Sequence, residues 1–172
     1  VGLKIALGAD HGGFELKNEL VSGLRDLKHL VDDLGAFSNE PFDYPDVAHT
    51  AARAIQQGVY QCAILVCGTG IGMAMTANRY PGVRAANCGD TFSAKYSRAH
   101  NDANVLTLGG RVIGVGLAWE IVDTWLATPY SGSERHVRRI AKIDDALADG
   151  LRPPQERSAA RPDGDRPQRD KP

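Results

Sequence analysis

No apolar run in this sequence approaches the length needed to cross a membrane. Its opening residues, "VGLKIALGAD", have neither a basic leader nor a small-residue cleavage site, so they do not read as a signal peptide. There is little excess of charge of either sign, with 20 Lys and Arg against 21 Asp and Glu. That balance argues against a nucleic-acid surface and against an acidic partner-binding tail. Cysteine is scarce and odd in number: Cys62, Cys67 and Cys88 stand in no CxxC or other metal-ligand spacing. That count favours a reducing, cytoplasmic setting over a disulfide framework. What the chain does have is 172 residues, enough for about one domain with a real core.

Strand-like and helix-like segments alternate along it. Residues 3–9 read as a strand, and residues 13–27 as an amphipathic helix with Phe14, Leu16, Leu20, Leu24 and Leu27 on one side. A weaker strand, "HLVDDLG", leads into a loop with Pro41 and Pro45, then a helix over residues 46–58 that ends at Gly58. "CAILVC" is the third strand, "GMAMTANRY" the third helix and residues 82–88 the fourth strand. Residues 90–100 form a helix capped by Asp90, residues 103–110 the fifth strand, and residues 116–127 and 132–150 two more helices. Five strands separated by helices imply an α/β, Rossmann-like three-layer fold: a five-stranded parallel sheet flanked by helices. The domain spans residues 1–150. From residue 151 on, "LRPPQERSAARPDGDRPQRDKP" is rich in Pro, Arg and Asp and reads as a disordered tail.

In an open parallel sheet, ligands bind beyond the C-terminal ends of the strands. That edge collects Asp10 and His11 after the first strand, Cys67 and its glycine turn after the third, and Arg111 after the fifth. The turn "VCGTGIG" joins a strand to a helix, an arrangement that can cradle an anion with backbone N–H groups and make Cys67 a reactive rather than a structural thiol. It matches neither GxGxxG nor the P-loop. Cys62, and by the same reasoning Cys88, reads as a buried structural thiol. His100 and Asn101 precede a strand, so the same rule puts them on the opposite edge. Arg135 and Arg139 are four apart on a helix and share a face. Their like charges are accommodated by a phosphate between them; a solvated basic face is the ordinary alternative. Arg138 points elsewhere.

The segments "GADHGGFELK", "DYPD", "CGTGIGMAMTANRYPGVRAA", "SRAHNDANVLTLGGRVIG" and "RHVRRI" resemble, in order and spacing, the type B ribose-5-phosphate isomerases of the ribose/galactose-6-phosphate isomerase family. The resemblance covers roughly residues 3 to 145. It implies interconversion of ribose 5-phosphate and ribulose 5-phosphate through an enediolate, a step of the non-oxidative pentose phosphate pathway. Cys67 is then the base between C1 and C2, the glutamate that some relatives use at or near Met75 being absent. Thr69 stands beside Cys67, and the backbone of Gly68, Thr69, Gly70, Ile71 and Gly72 receives the enediolate oxygen. Asp10, His11 and Tyr44 contact substrate, His100 opens the furanose, and Asn101 steadies sugar oxygens. Arg111, Arg135 and Arg139 bind substrate, the last two at the phosphate. The resemblance further implies a homodimer or dimer of dimers whose active sites join the Cys67 turn of one subunit to the His100 loop of another. No metal or other cofactor enters the chemistry, and no nucleic acid or membrane is a partner. The pair Gly109 and Gly110, where relatives often carry larger residues, and the long tail are its departures.

Two other functions compete. One is isomerisation of a six-carbon sugar phosphate, such as allose 6-phosphate or galactose 6-phosphate, decided by pocket depth. The other is a non-catalytic sugar-phosphate-binding module, which would have no use for both Cys67 and His100.

Overall fold

A computed structural model describes residues 2–151. The proposed tail lies outside them from residue 152 on, while Leu151, assigned to it above, closes the last helix. Five strands, β1 (Lys4–Ala9), β2 (Leu30–Asp33), β3 (Cys62–Cys67), β4 (Ala85–Asn87) and β5 (Val105–Gly109), form one sheet. They alternate with helices α1 (Phe14–Asp26), α2 (Tyr44–Gln56), α3 (Ile71–Ala77), α4 (Thr91–Ala99), α5 (Val115–Ala127) and α6 (Glu134–Leu151). The strand order is β2-β1-β3-β5-β4, all parallel. The three layers match the expectation. One core packs Leu16, Leu20, Leu24, Ile121 and Trp125 of α1 and α5 against one face of the sheet. A second packs Val47, Ala51, Ile55, Met73 and Ala77 of α2 and α3 against the other. The central strands β1, β3 and β5 are therefore buried on both sides, which explains their continuous apolar composition.

The order also places a crevice. After β1 the chain turns towards β2, and after β3 it travels the opposite way to β4. The loops at the C-terminal ends of β1 and β3 thus diverge, the arrangement in which open α/β sheets bind ligands.

Local differences from the sequence expectation have physical causes. α3 stops at Ala77, because Asn78 turns back to bond Ala85 with both its carbonyl and its amide. β4 is only three residues long: the Arg84 amide is held by Asn104 and its guanidinium by Asp102, so residues 82–84 belong to a loop. α2 begins two residues early, with Pro45 in its first turn, where a missing N–H costs nothing. Asp90 caps α4 as expected, taking the Ser93 amide at 2.7 Å. That bond, and a second from the Ser93 hydroxyl at 2.8 Å, hold the Asp90 carboxyl below the usual carboxylate range.

α1 departs from its expected face. Leu27 lies past the helix end and is 59% exposed, while Lys17 is 1% exposed. The Lys17 ammonium donates to Asp33 Oδ2 at 2.7 Å and to the Ala36 carbonyl at 2.8 Å, and lies 5.3 Å from the ring centres of Phe14 and Phe37. It ties α1 to the loop that follows β2, beside the end of β1. Lys17→Met keeps the length of the stem but leaves Asp33 and the Ala36 carbonyl without their donor. It should cost about 3 kcal/mol, read as a lower urea midpoint at unchanged slope.

Candidate active site

Cys67 ends β3 and is 5% exposed. The turn that follows folds back on it: the Gly70 N–H donates to Cys67 Sγ at 3.1 Å. Gly70 has φ +80°, and a Cβ there would come within 2.9 Å of the Leu108 backbone carbon, so both its conformation and its space require glycine. The turn expected to offer all its amides to a ligand therefore directs one of them, that of Gly70, at the sulfur. Cys62 and Cys88 sit differently. Burial pushes each up to about 11, so both are neutral thiols at pH 7, in line with the structural role expected for them.

Asp10, Tyr44, Cys67, Gly68, Thr69, Ile71 and Gly72 line one cleft of about 440 Å³. Asp10 is 7% exposed and its Oδ1 accepts the Gly13 N–H at 3.0 Å. The Tyr44 ring lies against Gly72, where a Cβ would meet ring carbons at 2.6 Å. His11 and Arg111 line an adjoining hollow of about 330 Å³. His11 is fixed through Nδ1, which accepts the Phe42 N–H at 3.3 Å, and the Arg111 N–H donates to the Gly68 carbonyl at 3.1 Å. The unusual Gly109–Gly110 pair has a local reason: a Cβ on Gly110 would lie 2.8 Å from the Gly12 carbonyl, so β5 ends pressed on the loop of β1.

His100 and Asn101 are elsewhere, on the edge where the strand rule put them, and Arg135 and Arg139 lie with them. His100 is the C-cap of α4 and Asn101 follows it, both ahead of β5. Cys67 pairs with Gly109 at the far end of that strand, so the length of β5, roughly 15 Å, separates the two groups. On that edge the His100 ring packs at a tilt against His136, ring centres 4.3 Å apart, and against Tyr96 at 4.6 Å. Arg135 and Arg139 are both exposed on the first turns of α6. The structure thus gathers the candidate residues into two groups at opposite edges of one chain.

Met75, the position at or near which some relatives carry a glutamate, joins the cleft wall and is 60% exposed. Two further contributions were not legible in the sequence. Asn87 donates to the Thr69 carbonyl at 3.3 Å and accepts from the Thr107 hydroxyl at 3.2 Å, bracing the turn from behind. Those contacts depend on β4 lying beside β5, which no spacing in the sequence announces. His136 is buried beside His100, between the two arginines in sequence. Among the described residues, no three His, Cys, Asp or Glu side chains are grouped as metal ligands, and no helix is long and apolar enough to cross a membrane.

A model of the Ribose/Galactose Isomerase family matches residues 5–143. The chain belongs to that family. Within the ribose/galactose isomerase family, ribose-5-phosphate isomerase B of Escherichia coli is 46% identical over 140 residues, 81% of this chain and 93% of the relative. D-erythrulose-4-phosphate isomerase of Pectobacterium atrosepticum is 46% identical over 134 residues, 76% of this chain and 86% of the relative. A crystal structure of a ribose 5-phosphate isomerase from Thermotoga maritima matches with a TM-score of 0.81 at 48% identity, covering 83% of this chain and 98% of that one. The family therefore accounts for the fold, while its members differ by name in the sugar phosphate they isomerise.

Proposed function

We propose that this protein interconverts ribose 5-phosphate and ribulose 5-phosphate as a step of the non-oxidative pentose phosphate pathway, and that residues 1–150 carry the activity. The observation that supports it most is Cys67: a buried thiol with an amide aimed at its sulfur, at the back of a cleft that also holds Asp10 and Tyr44. Isomerisation removes a weakly acidic proton from carbon and must stabilise a negative oxygen. Cys67 takes the proton from C2 of the open aldose and returns it at C1. The backbone of Gly68, Thr69, Ile71 and Gly72 receives the enediolate oxygen, with the Thr69 hydroxyl beside it. Asp10, His11, Tyr44 and Arg111 hold the sugar.

The remaining roles come from a second copy. His100 protonates the ring oxygen to open the furanose, Asn101 steadies the sugar oxygens, and Arg135 and Arg139 hold the phosphate. A homodimer, or a dimer of such dimers, brings the two half-sites together. Its contact has apolar surface to use: Ile71 and Met75 rim the cleft at 48% and 60% exposed, and Val137 and Ile143 are exposed on α6. Free thiols throughout suit a reducing cytoplasm.

The test is initial isomerisation rates of purified protein on four-, five- and six-carbon aldose and ketose phosphates, with EDTA present. The five-carbon pair should give the highest kcat/KM. A higher value on a six-carbon or four-carbon substrate would replace the proposed substrate. No turnover of any of them, with tight binding retained, would leave a binding module.

A further inference from the structure

His136 lies between Arg135 and Arg139 in sequence, yet it is 4% exposed where both arginines are exposed. Both of its ring nitrogens are engaged. Nε2 accepts the Arg135 Nε–H at 3.1 Å. Nδ1 lies 2.7 Å from Ser131 Oγ and 2.9 Å from Ser133 Oγ. A nitrogen that accepts carries no proton, so the proton of the neutral ring is on Nδ1, where it donates to a serine oxygen. One face of the ring packs on His100 at 4.3 Å, and His100 packs in turn on Tyr96.

We infer that His136 is a positioning residue: a neutral imidazole that fixes the Arg135 guanidinium through Nε and backs the His100 ring. This rests on the proposed role of Arg135 at the phosphate. An arginine held by Nε keeps its two Nη groups as a ready fork for phosphate oxygens, and it loses little side-chain freedom on binding. The surroundings keep the ring neutral. Burial first, then the charges of His100, Arg135 and Arg139, hold the His136 pKa below its ordinary value. A protonated ring would point an N–H at the Arg135 Nε–H and break the contact.

The side chains that could replace it separate positioning from packing. His136→Asn keeps a polar atom near the position of Nδ1 but loses the acceptor for Arg135. His136→Gln places an amide oxygen near the position of Nε2. The assay is KM for ribulose 5-phosphate, which needs no ring opening, together with inhibition by inorganic phosphate. His136→Asn should raise KM about tenfold, the size of one charge-assisted hydrogen bond, with kcat within about twofold. His136→Gln should recover to within about threefold of the wild type. On an Arg135→Ala background His136→Asn should add nothing, because the two act as one unit. The inference is overturned if His136→Asn raises KM by the same factor with and without Arg135, or if His136→Gln is no better than His136→Asn. Should His136→Asn fail to fold, His136→Gln decides alone, a tenfold rise in its KM being the adverse result. If Arg135→Ala itself leaves KM unchanged, the phosphate role of Arg135 falls, whatever His136 does.

Discussion

Cys67→Ala should still bind sugar phosphate while turning it over about a thousandfold more slowly, the range expected for loss of a positioned base. The turn survives the substitution, since Gly70 keeps its left-handed conformation and Asn87 still holds the Thr69 carbonyl. What disappears is the sulfur at the back of the cleft. The sequence has no carboxylate between Cys67 and Asp90 to replace it. Asp10, the acid that lines the cleft among the described residues, has an oxygen committed to the Gly13 amide. Single-turnover kinetics with C2-deuterated ribose 5-phosphate gives the proton-transfer rate directly. Near-normal transfer in the mutant would remove Cys67 from the chemistry and point to Asp10. Cys62→Ala is the control: it opens a small core cavity, costs about 1–2 kcal/mol of stability and leaves turnover alone.

His100→Asn should separate the two directions of the reaction. Ribose 5-phosphate must open its furanose before a proton can leave C2, and an imidazole N–H can supply the ring oxygen with a proton. Ribulose 5-phosphate cannot close that ring, because its 5-hydroxyl carries the phosphate. Loss of the acid should therefore slow the aldose direction about a hundredfold at early times. The ketose direction should fall only a few-fold over the same interval. The check is initial rates on each sugar, with the open-chain fraction of the aldose followed separately. Equal losses from both sides would assign His100 to the enediolate instead.

Much of this site could be read from the chain, for identifiable reasons. The apolar runs of β1, β3 and β5 and the residues that end them put Asp10, Cys67 and Arg111 at one edge, because a parallel sheet leaves only that edge open to ligands. The same rule put His100 on the other edge, and the structure keeps it there. What could not be read is what depends on strand order. β5 lies between β3 and β4 although it follows both, so Asn87 and Thr107 meet behind the turn that holds Thr69. Side-chain chemistry that runs against type was also hidden. Helical periodicity counts Lys17 as polar and outward, and only the pairing with Asp33 and Ala36 shows why it is buried. His136 escaped for a related reason: the i,i+4 spacing of Arg135 and Arg139 draws attention to the exposed face of α6, and the buried residue between them is set by Ser131 and Ser133 in the preceding loop.

The separation of the two half-sites along β5 has a genetic consequence under the proposed pairing. A chain defective at Cys67 still owns a sound His100 edge, and a chain defective at His100 still owns a sound Cys67 edge. When two such chains associate, one of the two sites they share inherits both faults and the other inherits neither. Two alleles that are each inactive in a homozygote would therefore complement one another when expressed together. Two different lesions on the same edge would not, since every site they form includes one of them.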